Sequence, residues 1–101
     1  MLTRRFGKTE LNLSVFSLGT MRCLDDGDIF RQTLATALEL GINHLETAQG
    51  YGKSEEYLGE SLKKLSPPRE SLYITTKITP TPDPTQITAS IDRSLARLQL
   101  D

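Results

Sequence analysis

The chain has 101 residues, with 12 Lys and Arg against 13 Asp and Glu, so its formal charge is −1. That length permits one domain with a modest core, and the balanced charge points to neither nucleic acid nor anionic lipid. One cysteine, Cys23, cannot build a disulfide framework, no Cys/His cluster has the spacing of a metal site, and no apolar run approaches the ~20 residues that span a bilayer; the expectation is a reduced, cytoplasmic setting without metal or membrane.

The opening MLTRRFGKTELNL is basic but lacks a continuous apolar stretch, so a signal peptide is not expected. Leu2 to Phe6 and Leu11 to Val15 flank Gly7-Lys8-Thr9-Glu10, which predicts an antiparallel hairpin. A β-like run, Val15 to Leu18, precedes a helical stripe of Phe30, Leu34, Ala37 and Leu38, with Asp26 or Asp28 as N-cap and Gly41 as the stop. Ile42 to Thr47 then leads to Leu58, Leu62 and Leu65, a stripe behind Ser54 as N-cap, with Glu55 and Glu56 suiting the first turn and Lys63 and Lys64 the last. Ser66-Pro67-Pro68 ends that helix. The third pair is Leu72 to Ile78 followed by Ile87, Ile91, Leu95 and Leu98, opened by Asp83 as cap, Pro84 at the first helical position and Gln86.

Strand–helix alternation with short links makes the class α/β with a parallel sheet. Three βα units behind an N-terminal β-hairpin match the opening of a (β/α)8 TIM barrel, a fold that needs about 250 residues to close. Residues 1–101 are therefore expected to be an incomplete barrel, a fragment whose sheet edges and inner face stay open. A complete small three-layer domain is the rival.

The chemistry concentrates in HLETAQGYGKSEEYLG, residues 44–59. Gly52-Lys53-Ser54 fits the end of a phosphate-binding loop, but Thr47 stands where its first glycine belongs. Gly50 and Gly52 begin a dinucleotide pattern that Glu55 breaks at the third glycine. An acid–base reading fares better. Functional residues of a barrel project from the carboxyl ends of several strands, and Gly19-Thr20, Glu46, Tyr51 and Lys77 all meet that condition. Period-2 alternation sets Lys77 with Thr75 and Tyr73 on one face, against Leu72, Ile74, Thr76 and Ile78, and sets Glu46 with His44. Opposite charges turned into a barrel should pair, and a tyrosine beside the cation is a candidate proton donor, since positive charge favours a phenolate. Residue pattern alone leaves the plainer readings open: Lys77 and Glu46 as a structural ion pair, Tyr51 as a packed loop aromatic, His44 as interior filler.

FGKTELNLSVFSLGTM, GINHLETAQGYGKSEEYLGESL and LYITTK, in this order and spacing, resemble the amino-terminal part of the aldo-keto reductase family. The resemblance implies a (β/α)8 barrel that uses NADP(H), without a metal, to reduce aldehydes and ketones or oxidise alcohols, acting on a small carbonyl or alcohol substrate. It implies Tyr51 as the general acid, Lys77 as its electrostatic partner and Glu46 as the group orienting Lys77. Gly19, Thr20 and Met21 match the segment along the cofactor near the nicotinamide ribose, a side that Glu46 shares.

Two departures stand out. The family has aspartate where Glu46 stands, and the extra methylene puts the geometry of its pairing in question. The family's catalytic histidine and most of its cofactor contacts would fall beyond Asp101, so the 101 residues by themselves are expected to have little or no activity. One branch of the family carries a carboxyl-terminal iron–sulfur extension, whose ligands would also lie outside this sequence. The alternative is a non-catalytic interaction subunit, or a fragment that assembles with a partner, on the same barrel; Glu46 favours it. A nucleotide triphosphatase rests on Gly52-Lys53-Ser54 alone.

Overall fold

A computed structural model describes residues 1–23 and 25–101. Strands β1 (Thr3–Arg5) and β2 (Asn12–Ser14) form the antiparallel hairpin. A separate parallel sheet follows, with β3 (Leu18–Gly19), β4 (His44–Glu46) and β5 (Tyr73–Thr75) in the order β3-β4-β5. Helices α1 (Gly27–Glu39), α2 (Ser54–Leu65) and α3 (Pro84–Leu98) come after β3, β4 and β5 respectively. The mixed α/β class and the hairpin thus match expectation. The first sheet strand does not: it lies at Leu18–Gly19, and Val15 and Phe16 are exposed, because the Val15 amide extends the hairpin by donating to the Leu2 carbonyl.

The helices pack on one face of the sheet. Leu45 is fully buried there among Phe30, Leu34, Leu58, Leu72 and Leu98, with Leu18 and Ile74 beside them. The opposite face carries the residues paired one step out of phase: His44 beside Tyr73, and Glu46 between Gly19 and Thr75. His44 is held between two hydroxyls, 2.8 Å from Ser17 Oγ and 2.9 Å from Thr75 Oγ1. The hairpin is fastened to the start of β4 by Asn43, whose Oδ1 accepts from the Ser14 amide at 2.7 Å while Nδ2 donates to the Asn12 carbonyl at 2.9 Å. It therefore occupies the end of the sheet opposite Glu46.

Helix α3 departs from its predicted stripe. Its buried positions are Ser90, Ser94 and Leu98, and Ile91 is exposed. The reason is a close crossing with α2 at Gly59, where a Cβ would come within 2.3 Å of the Arg97 carbonyl oxygen. Small side chains at Ser90 and Ser94 let α3 settle inward, with Leu98 buried on the same side and Ile91 turned outward. The N-caps fall at Asp26 for α1 and Asp83 for α3.

Asp83 makes a testable pH dependence. The Thr85 hydroxyl, and then the Thr85 amide, hold its carboxyl below the ordinary value of 3.8. A depressed carboxylate stabilises the fold above its unfolded-state value and loses that contribution as pH falls through the folded one. Protection of the Thr85 amide, the unfolded exchange rate divided by the observed one at the same pH, is expected to fall as pH drops below the ordinary aspartate range in the unsubstituted protein; in Asp83→Asn this pH step should vanish.

Candidate functional site

The site forms where the three parallel strands end. Pairing between β4 and β5 continues past both strands: the Thr47 amide donates to the Thr75 carbonyl and the Gln49 amide to the Lys77 carbonyl, each at 2.8 Å. This zipper draws the segment after β4 alongside Lys77. The chain then turns, with the Tyr51 amide on the Ala48 carbonyl at 3.1 Å and Gly52 at φ +49°, a left-handed conformation that favours glycine. The Ser54 amide closes the turn on the Tyr51 carbonyl at 2.8 Å, and α2 begins.

Three sequence-predicted residues meet here. Lys77 Nζ donates to Tyr51 Oη at 2.9 Å and forms an ion pair with Glu46 Oε1. The same ammonium lies 4.7 Å from the centroid of the Tyr51 ring. The extra methylene of Glu46 has not broken the pair. The lysine side chain is 47% exposed and that of Glu46 28%, so the ion pair sits at an open rim and contributes little stability, under about 1 kcal/mol. Its chemical consequence is orientation. Because the ammonium donates to the phenolic oxygen, the phenol's own hydrogen is free to go to another acceptor.

The proposed cofactor-side residues divide. Gly19 and Met21 are exposed beside this rim, and a Cβ at Gly19 would lie 3.9 Å from Glu46 Oε2. Thr20 is buried, and its hydroxyl is used internally, 2.5 Å from Ser54 Oγ and donating to the Glu46 carbonyl at 3.0 Å. Its amide also donates to the Glu46 carbonyl, at 3.1 Å, so Thr20 serves the scaffold of the rim and presents no group to a ligand.

Sequence reasoning missed the two residues behind the rim. Ser54 is no N-cap: the cap position is Lys53, no side chain caps the helix, and Ser54 is fully buried with its Oγ also 2.8 Å from Thr47 Oγ1. This engagement removes the hydroxyl that a phosphate loop would need for a metal ion. Glu55, read as a solvated helix-dipole residue, is 2% exposed. Its Oε2 accepts from the Thr76 hydroxyl at 2.9 Å, and Oε1 lies 3.4 Å from Arg97 Nη1. The available signal was Thr76, a hydroxyl on the otherwise apolar helix-facing side of its strand.

Among the described residues there is no group of three or more His, Cys, Asp or Glu that could hold a metal ion, and no helix is long and apolar enough to cross a membrane.

Residues 17–101 match the aldo/keto reductase family. The NADH-specific methylglyoxal reductase of Escherichia coli is 41% identical over 81 residues, covering 70% of this chain and 24% of the relative. Glycerol 2-dehydrogenase (NADP(+)) of Saccharomyces cerevisiae is 34% identical over 93 residues, covering 92% of this chain and 28% of the relative. The holo form of the aldo-keto reductase AKR11C1 from Bacillus halodurans superposes with a TM-score of 0.85 at 29% identity, over 100% of this chain and 37% of that one. The chain thus spans about a quarter of the length of the curated relatives it matches.

Proposed function

Because the chain belongs to the aldo/keto reductase family, we propose that residues 1–101 are the amino-terminal portion of a (β/α)8 barrel domain in an NADP(H)-dependent oxidoreductase that reduces aldehydes and ketones. The observation that carries this reading is the convergence of Tyr51, Lys77 and Glu46 at one rim, with the Lys77 ammonium 2.9 Å from the phenolic oxygen.

The nicotinamide dinucleotide, when bound, supplies hydride to the carbonyl carbon. Tyr51 gives its free hydroxyl proton to the carbonyl oxygen. Lys77, already donating to that phenolic oxygen, stabilises the charge left on it, and Glu46 holds the ammonium in place. The exposed strip of Gly19 and Met21 fits a planar ring lying beside the rim, since no side chain at Gly19 stands between the strand edge and Glu46. Small reactive aldehydes such as methylglyoxal are the first substrates to try, on the strength of the Escherichia coli relative's name. The lone cysteine agrees with a reducing, cytoplasmic setting. The non-catalytic alternative rests on Glu46 standing where the family has aspartate; the ion pair with Lys77 supports the catalytic reading instead.

The test is dinucleotide oxidation by the complete polypeptide that carries this segment, with NADPH and NADH run in parallel against a panel of small aldehydes and ketones. Turnover with NADPH exceeding that with NADH is expected, and none from the 101 residues alone. Absence of turnover with both dinucleotides across the panel counts against the reading; faster turnover with NADH corrects the cofactor.

A further inference from the structure

We propose that Ser54 and Glu55 are the positioning residues of the tyrosine–lysine pair, a two-sided anchor in the first turn of α2 that fixes Tyr51 on one side and Lys77 on the other; this rests on the reading that Tyr51 is the proton donor.

The Ser54 side follows from counting hydrogens. Thr20, Thr47 and Ser54 are 3%, 0% and 0% exposed, so their hydroxyls have only one another and the backbone as partners. Thr20 Oγ1 spends its one hydrogen on the Glu46 carbonyl at 3.0 Å. Ser54 must then donate to Thr20 across 2.5 Å, and Thr47 must donate to Ser54 across 2.8 Å. The result is a directed chain from Thr47 through Ser54 and Thr20 to the backbone of Glu46, the residue whose carboxylate holds Lys77. It ties the ends of β3 and β4 to the first residue of α2. The Ser54 amide passes the constraint to the Tyr51 carbonyl at 2.8 Å.

The Glu55 side reaches the other partner. Its carboxylate accepts from Thr76, the residue before Lys77, and is backed by Arg97 of α3. Of two adjacent residues in one helical turn, Glu55 thus reaches the neighbour of Lys77 with its side chain, while Ser54 reaches the strand ends around Glu46 with its hydroxyl and Tyr51 with its amide. Neither side chain touches the rim itself.

The test uses the complete polypeptide and the variants Ser54→Ala, Thr76→Val and Thr76→Ser, with Leu34→Ala as a control for general loss of core packing. A misplacement near 1 Å can lower rate about a hundredfold, so Ser54→Ala and Thr76→Val are expected to lower kcat about 10- to 100-fold. KM for the carbonyl and the dissociation constant of the dinucleotide, measured by fluorescence, should stay within about threefold of the parent, because uniform binding is untouched. The solvent deuterium isotope effect on kcat should rise as proton delivery becomes more limiting. Thr76→Ser, which restores the hydroxyl, should recover kcat to within about threefold, and Leu34→Ala should lower Tm while changing kcat by less than about twofold.

Parental kcat in both Ser54→Ala and Thr76→Val overturns the inference, as does an equal loss in Leu34→Ala. Should Ser54→Ala fail to fold, the shape-conserving Thr76→Val and its Thr76→Ser rescue decide. Full turnover in Tyr51→Phe removes the underlying reading instead, whereas an inactive Tyr51→Phe beside a fully active Ser54→Ala and a fully active Thr76→Val removes this inference alone.

Discussion

In the complete polypeptide, Tyr51→Phe is expected to lower carbonyl reduction by about 10²- to 10⁴-fold, the range a positioned general acid supplies. The substitution is narrow. The ring remains, so its contact with the Lys77 ammonium at 4.7 Å can persist, and the lysine keeps its ion pair with Glu46. What disappears is the hydroxyl that accepts from Lys77 and that we propose as the donor to substrate. Loss of a group needed only while the carbonyl oxygen gains its proton lowers kcat and kcat/KM together and leaves dinucleotide affinity nearly unchanged. Steady-state kinetics paired with equilibrium dinucleotide binding checks both halves. Unchanged turnover would show that the phenol plays no part in the reaction.

Gly59→Ala is expected to destabilise the protein by about 3 kcal/mol or more, at or beyond the upper end of ordinary overpacking. The added Cβ would stand 2.3 Å from the Arg97 carbonyl oxygen and 3.0 Å from Leu98 Cα. Those atoms are backbone, so no rotamer change relieves the contact, and α2 and α3 must separate. The gain in helix propensity, about 1 kcal/mol for replacing glycine by alanine, is too small to compensate. Separation also displaces Arg97, which lies 3.4 Å from the buried carboxylate of Glu55. Urea or thermal unfolding of the variant against its parent measures the loss. A midpoint equal to the parent's would mean that the two helices yield at no cost.

Signals within a few residues of one another were legible in the sequence. The caps at Asp26 and Asp83, the hairpin around Gly7 to Glu10, and the apolar stripe of Phe30, Leu34 and Ala37 are local and depend on spacing that can be counted. The pairing of Glu46 with Lys77 was legible from strand alternation and strand-end placement, whereas Tyr51, in the loop after β4, was singled out as their partner chiefly by the family resemblance. The errors share a different origin. Ser54 has the residue type and position of an N-cap, and only the approach of Thr20, 34 positions earlier, diverts its hydroxyl. Glu55 obeys the helix-dipole preference, while its burial is decided by Arg97, 42 positions later. Ile91 continues an apolar stripe, and its exposure follows from how closely α3 can approach Gly59. In each case a contact distant in sequence overrode a sound local rule.

The Asn43 clamp gives the molecule two ends of different character. One end of the sheet presents reactive groups, while the other is a largely exposed ribbon fastened by Asn43, through its side-chain amide and through its backbone amide on Ser14 Oγ. Attachment chemistry directed at Lys8, in the turn of that ribbon, would leave the opposite end turned toward solution. Four other lysines, Lys53, Lys63, Lys64 and Lys77, would compete in a lysine-selective coupling, so orienting an immobilised preparation calls for a uniquely reactive group substituted at position 8.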